Sequence, residues 1–327
     1  MMRYSIKPNK NIFTVFVGLI ASGYDLADGS CDTEILDTIR KIKYDEDIIC
    51  YFKKARTISC KVNPYWPRAF LLSLSSLYLT EELPNGYTDF NKLLGHIDSL
   101  QQINPSEKNK ELFDWLKQLP IMINKLQNNI ETQEIWSKYL SVIDKNIENY
   151  YLILGQAFSS VKSIIDIKDN ELPELIIIPN YLQAPQATDF VTIEDKIYII
   201  EAEPNKESII HELLHQILDT RLKECRALIN KNLFLLKPIL NEMIEYQYAW
   251  ACNEESWNRV FEENFMRAAS AWINFHDDID NARKEAKLHR EYGFIYVPII
   301  LEQLFFNWKG LDGFREFLEY CLKACRS

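Results

Sequence analysis

At 327 residues, 47% of them hydrophobic and 13% aromatic, the chain has enough apolar mass for a large core, in one domain or two lobes. A formal net charge of -10 opposes phosphate backbones and anionic headgroups, and no basic run or RNA-binding signature offsets it, so nucleic acid is excluded as an expected partner. With only 9 Gly and 12 Pro there is little material for linkers or low-complexity tails, and packed helices are expected.

Tyr4 to Lys7 has strand character. Ile12 to Ala21 is apolar and follows Lys7 and Lys10, the make-up of a secretory signal, yet Phe13, Phe16, Val17 and Ile20 keep helical spacing. Asn9 or Asn11 can cap such a helix and Gly23 can end it. A folded helix and a cytoplasmic protein are therefore expected, with secretion the alternative if residues 1–23 act as a signal. No run reaches the roughly 18 apolar residues of a membrane span.

Consecutive helices are expected at about 11–22, 31–42, 67–80, 88–101, 107–128 and 131–158, broken at Asn63-Pro64, Pro67, Pro84-Asn85-Gly86 and Asn104-Pro105. Near residue 160 the character changes: Leu175 to Ile178, Phe190 to Ile193 and Ile197 to Ile200 are strand-length runs of β-branched and aromatic residues. Glu194-Asp195 would turn the last two into a hairpin. Pro204, Asn205 and Glu207 then carry helix-start chemistry just before His211. Helices follow at about 235–251, 254–275, 278–290, 294–308 and 311–325. The expected fold is mainly α with a small β-sheet (α+β), its helical N-terminal lobe at 1–158 and a second lobe at 159–327.

That second lobe holds His211-Glu212-Leu213-Leu214-His215. Residues four apart on a helix lie one turn above each other, so the two imidazoles project toward one point. Zinc takes imidazole nitrogen and, in catalytic sites, three protein ligands with one position left for water. Glu212, beside the first ligand, can take that water's proton. The structural alternative is a pair of histidines that pack or hydrogen-bond without metal.

A third ligand is expected from a downstream helix at Phe261 to Ala268, and a carboxylate fits best. Glu263 is preferred to Glu262 because Arg267 stands four residues on and can hold it. His276 and His289 are weaker alternatives. Leu218 and Arg221 occupy the positions where the extended metzincin pattern needs Gly and His, which excludes that class. His289, Tyr292 and Tyr296 are candidates for stabilising the oxyanion of amide hydrolysis, against a background of 17 Tyr that mostly serve packing. Asp219 could orient His215 but is read first as surface charge at a helix end. The seven cysteines, with no C-x-x-C pair, read as reduced thiols.

The H-E-x-x-H with a distal Glu263 resembles the gluzincin branch of zinc metallopeptidases. The strand-rich stretch before it and Glu263 to Ala268 are similar to an uncharacterised bacterial family known mainly as a domain of unknown function. The resemblance implies a zincin-like catalytic core with the motif helix after the hairpin, and zinc on His211, His215 and Glu263. It also implies Glu212 as general base and a peptide or protein substrate extended along one arm of the 189–202 hairpin. Arg267, where thermolysin-like enzymes carry Asp, is a departure, and no aminopeptidase signature is present. The competing expectation is a non-catalytic helical binding or regulatory protein on a zincin scaffold. Oligomeric state is left open.

Overall fold

The computed structural model describes residues 4–24, 33–58, 67–80, 86–101, 107–168, 174–184, 188–239 and 257–326. They are mostly helical, with one four-stranded sheet. None of these helices is long and apolar enough to cross a membrane. The described residues of 2–149 and 175–203 make one compact unit, and those of 150–174 and 204–327 make another.

This division differs from a single boundary after residue 158, and the sheet is the reason. Its strands are β1 (Tyr4–Ile6), β2 (Glu174–Pro179), β3 (Thr188–Ile193) and β4 (Lys196–Glu201), in the order β1-β2-β4-β3. β1 pairs in parallel with β2, Tyr4 opposite Leu175 and Ile6 opposite Ile177, which ties residues 175–203 to the N-terminal helices. Leu175, Ile176, Ile177 and Ile178 are all buried, as a continuous apolar run covered on both faces should be. The expected hairpin forms: β3 and β4 are antiparallel with Phe190 opposite Ile199, and Glu194 takes a positive φ of 59° in the turn. The Tyr139 hydroxyl donates to the Pro179 carbonyl at 3.0 Å and accepts from the Tyr181 N–H at 3.0 Å, fixing the end of β2.

In the same unit the helix Lys10–Ala21 is buried on every side from Asn11 to Ile20, the pattern of a central helix rather than a surface one. Asn9 is its cap, accepting from the Ile12 N–H at 3.0 Å. It packs against the helices Thr33–Lys41, Glu46–Lys53, Pro67–Leu77 and Leu119–Asn128. Gly18 allows Glu46–Lys53 to approach, because a Cβ there would lie 2.3 Å from the Phe52 ring.

Two helical expectations change. The stretch 107–128 is two helices, Glu107–Leu116 and Leu119–Asn128, because Pro120 occupies the first turn of the second and cannot continue the first. The next helix runs 36 residues, Ile130–Ile165, past its expected end at 158, and Asp166 follows it with a φ of 59°. The helix Glu46–Lys53, which was not expected, also forms. Of the helix expected at 235–251, residues 240–251 lie outside the described ones, as do 254–256 of the helix after it and Cys31, Cys60 and Cys252.

The other unit is built around the helix Trp257–Asn274, which packs on the motif helix Lys206–Glu224 and on the helices Ile279–Glu291 and Val297–Asn307. Val297–Asn307 packs in turn on Phe314–Ala324. Trp257, Phe261 and Phe265, four residues apart, stack along one face, and Phe265 meets Phe314 and Phe317. Each such buried side chain contributes about 1.5–3 kcal/mol of transfer free energy. Asn264 is fully buried and satisfied, its amide donating to the Val260 carbonyl at 2.8 Å and its oxygen accepting from the Tyr296 N–H at 3.1 Å. Cys225, Cys321 and Cys325 are buried free thiols, and Cys50 is an exposed one.

Candidate metal centre

The motif helix starts where its sequence says it should, with the Asn205 side chain accepting from the N–H groups of Glu207 at 2.9 Å and Ser208 at 3.2 Å. Ile209, Ile210, Leu213, Leu214, Leu218 and Leu222 fix its rotation by entering the core. The half-buried His211 and His215 then share the adjoining face, with ring centroids 4.8 Å apart and their Nε2 atoms 3.1 Å apart. Glu263 reaches them from Trp257–Asn274, with Oε1 3.6 Å from His211 Nε2 and Oε2 3.8 Å from His215 Nε2.

These spacings fit a metal. Ligand atoms at tetrahedral positions 2.0–2.1 Å from zinc are about 3.4 Å from one another, and the three separations observed bracket that value. His211, His215 and Glu263 are a group able to hold an ion. Hydrogen bonds behind the rings aim them. His215 Nδ1 lies 3.2 Å from Asp219 Oδ1, a carboxylate that can only accept, so Nδ1 carries a proton and Nε2 is the nitrogen that offers a lone pair once the ring is neutral. Ser270 spends its hydroxyl proton on the Met266 carbonyl at 2.8 Å, leaving its oxygen to accept from His211 Nδ1 at 3.4 Å. The two Nε2 atoms therefore face each other, 3.1 Å apart, and an ion would take the place of the proton between them.

Asp219 thus supports His215 and is not plain surface charge. Burial alone would lower His215, but the Asp219 hydrogen bond and the Glu263 and Glu212 carboxylates outweigh it and hold the imidazole up at about 9. His211 goes the other way, lowered chiefly by burial to about 3. Glu263 is also desolvated, yet Arg267 and the two histidines keep it ionised, down at about 2. Arg267 Nη2 sits 2.7 Å from Glu263 Oε1, and its guanidinium lies over the Phe294 ring at 4.1 Å. This is the clamp expected from the i, i+4 spacing, with an aromatic platform added.

Glu262, the neighbour about 100° around the helix, does not join the group. Burial raises its pKa first, Asp219 next, and Oε1 is buried without a hydrogen-bond partner. Glu212 is half-buried, and among the described residues nothing hydrogen-bonds its carboxylate. Burial, with Glu263 adding to it against the opposing pull of His215, raises Glu212 to about 7.

Of the three expected oxyanion donors, Tyr296 is committed to another partner, and His289 lies close enough to His211 for its charge to act on that imidazole. Tyr296 is buried and donates its hydroxyl to the Leu235 carbonyl at 2.5 Å, because the core at Trp257 surrounds it. Tyr292 is 57% exposed at the C-terminal cap of Ile279–Glu291. His289 faces Glu207 and Glu285, at 3.4 and 3.7 Å. His276, the other alternative ligand, stacks on Phe305 and meets Trp272 edge-on. Asp219 and Ser270 were readable only as parts of helical stripes, Asp219 four residues after His215 and Ser270 seven after Glu263. Comparison with models of known families, with characterised proteins and with solved structures finds no match to this chain.

Proposed function

We propose that the chain is a zinc-dependent metallopeptidase whose ion is held by His211, His215 and Glu263. The observation that carries this reading is the convergence of two imidazole Nε2 atoms and one clamped carboxylate beside Glu212, whose carboxylate accepts no hydrogen bond among the described residues. Zinc bound to such a set supplies Lewis-acid polarisation of a carbonyl and lowers the pKa of water beside it. Glu212 takes and returns the proton: in the metal-free protein burial raises its carboxyl above the ordinary carboxylate range, which suits a group that must act first as base and then as acid. Arg267 holds Glu263 in its ligating orientation and contributes positive charge where negative charge develops. A zincin-like core and a peptide substrate belong to this reading.

Zinc-loaded protein incubated with a broad peptide library, read by mass spectrometry, tests it. Cleavage should appear, and Glu212→Gln should reduce it by about 10²-fold or more while the zinc content stays unchanged. Loaded protein that cleaves nothing, or a Glu212→Gln variant that cleaves normally, overturns the proposal.

A further inference from the structure

A second donor group lies on the same stripe of the motif helix. Glu207, His211, His215 and Asp219 follow one another at intervals of four residues and share one face. One turn before His211, Glu207 meets Glu285 and His289, which are themselves four residues apart on Ile279–Glu291. His289 Nε2 is 3.4 Å from Glu207 Oε1 and 3.7 Å from Glu285 Oε1, and all three donor atoms lie within 4.8 Å of one another.

Both nitrogen–oxygen separations are longer than the roughly 2.7–2.9 Å of a charge-assisted N–H···O bond. They match the edges of a coordination shell, as the separations in the first group do. Two carboxylates that face each other need a counter-charge. Neither Glu207 nor Glu285 forms an ion pair with a Lys or Arg among the described residues, and the basic side chain they face there is His289. Burial and the Glu207 charge both raise Glu285, as expected of a carboxylate held beside another without a cation.

We propose that Glu207, Glu285 and His289 form a second divalent-cation site, separate from the His211 centre. One imidazole and two carboxylates make a harder ligand set than two imidazoles and one carboxylate, so Mn²⁺ should enter it as well as Zn²⁺. No side chain serves both groups, and four residues of helix rise separate Glu207 from His211 by about 6 Å. The second ion therefore cross-links the first turn of the motif helix to the last turns of Ile279–Glu291. This site does not depend on the peptidase reading.

Metal analysis of the full chain equilibrated with Zn²⁺, with Mn²⁺ anomalous diffraction from crystals of the unaltered protein, tests it. Two equivalents of zinc are expected, and an anomalous peak among Glu207, Glu285 and His289. Glu285→Gln combined with His289→Asn should lose one equivalent and leave unchanged the visible spectrum of Co²⁺ at the His211 centre. His211→Asn with His215→Asn should lose the other equivalent and keep the peak. A single equivalent displaced only by the His211 and His215 changes overturns the site. So does the absence of a peak there in unaltered protein, or undiminished stoichiometry in the Glu285 and His289 variant.

Discussion

Replacing Asp219 by Asn keeps the shape behind His215 and removes the charge. His215 is held at about 9 against an ordinary 6.5, a preference for its charged form of roughly 3 kcal/mol. Among the influences that raise it, the Asp219 hydrogen bond is the largest. The same carboxylate strengthens His215 as a ligand, and losing such a support weakens metal binding by about 10–100-fold. Asp219 is 34% exposed, so the lower end applies. The two effects oppose each other at neutral pH. There the wild-type protein must first lose the His215 proton to bind zinc, and the variant has less of a proton to lose. The loss of affinity should therefore be close to tenfold at pH 9 and smaller at pH 7, and the plot of log Kd against pH should be flatter for the variant. Competition with a chelating dye from pH 7 to 9 measures this. Parallel pH profiles for the two proteins, or equal affinity at pH 9, would refute the reasoning.

The choice of third ligand predicts that Glu263→Gln abolishes tight zinc binding while Glu262→Gln leaves it within a few-fold, by calorimetric titration; the reverse order would move the ligand to Glu262. Tyr296→Phe strands the Leu235 carbonyl and should cost about 1–3 kcal/mol in urea unfolding with kcat unchanged; a kcat loss in folded protein would return Tyr296 to the chemistry. Gly18→Ala places a methyl group in the Phe52 ring and should destabilise by about 1–3 kcal/mol despite the roughly 1 kcal/mol by which Ala favours helix; equal or higher stability would rule out the clash. Without metal, stability should fall between about pH 6.5 and 9. Above 6.5 the unfolded chain has given up a His215 proton that the folded protein retains until about 9. Zinc should reverse the slope, and a flat metal-free profile in denaturant titrations would count against the raised His215.

Much of the fold was legible because it is written in local chemistry. Asn205 before an apolar repeat marks the motif helix, and Glu194-Asp195 between two β-branched runs marks the hairpin. His211, His215 and the Glu263–Arg267 pair were legible for the same reason, since i, i+4 spacing turns sequence into geometry. Long-range pairing was not. The three residues of β1 carry no sign that their partner is Leu175 to Ile177, so the grouping of 175–203 with the N-terminal helices was not legible. The surroundings of Tyr296 were hidden for a related reason. Tyr296 looks the same in sequence whether its hydroxyl faces a cleft or the Leu235 carbonyl, and only the packing around Trp257 decides. His289 was singled out as a polar group at a turn, but its Glu207 partner lies 82 positions away.

Buried Asn264 sits next to Glu263, the proposed ligand, and is bonded on one side to the Val260 carbonyl and on the other to the Tyr296 N–H. It works as a rotational stop. A helix turned by one residue would exchange Glu263 for Glu262 in front of the histidines, at a cost set by Asn264 and the Trp257, Phe261 and Phe265 ladder. The choice of metal ligand is thus made in the core, by residues that never touch the ion. Changes at Asn264 should then alter metal selectivity before they alter the fold.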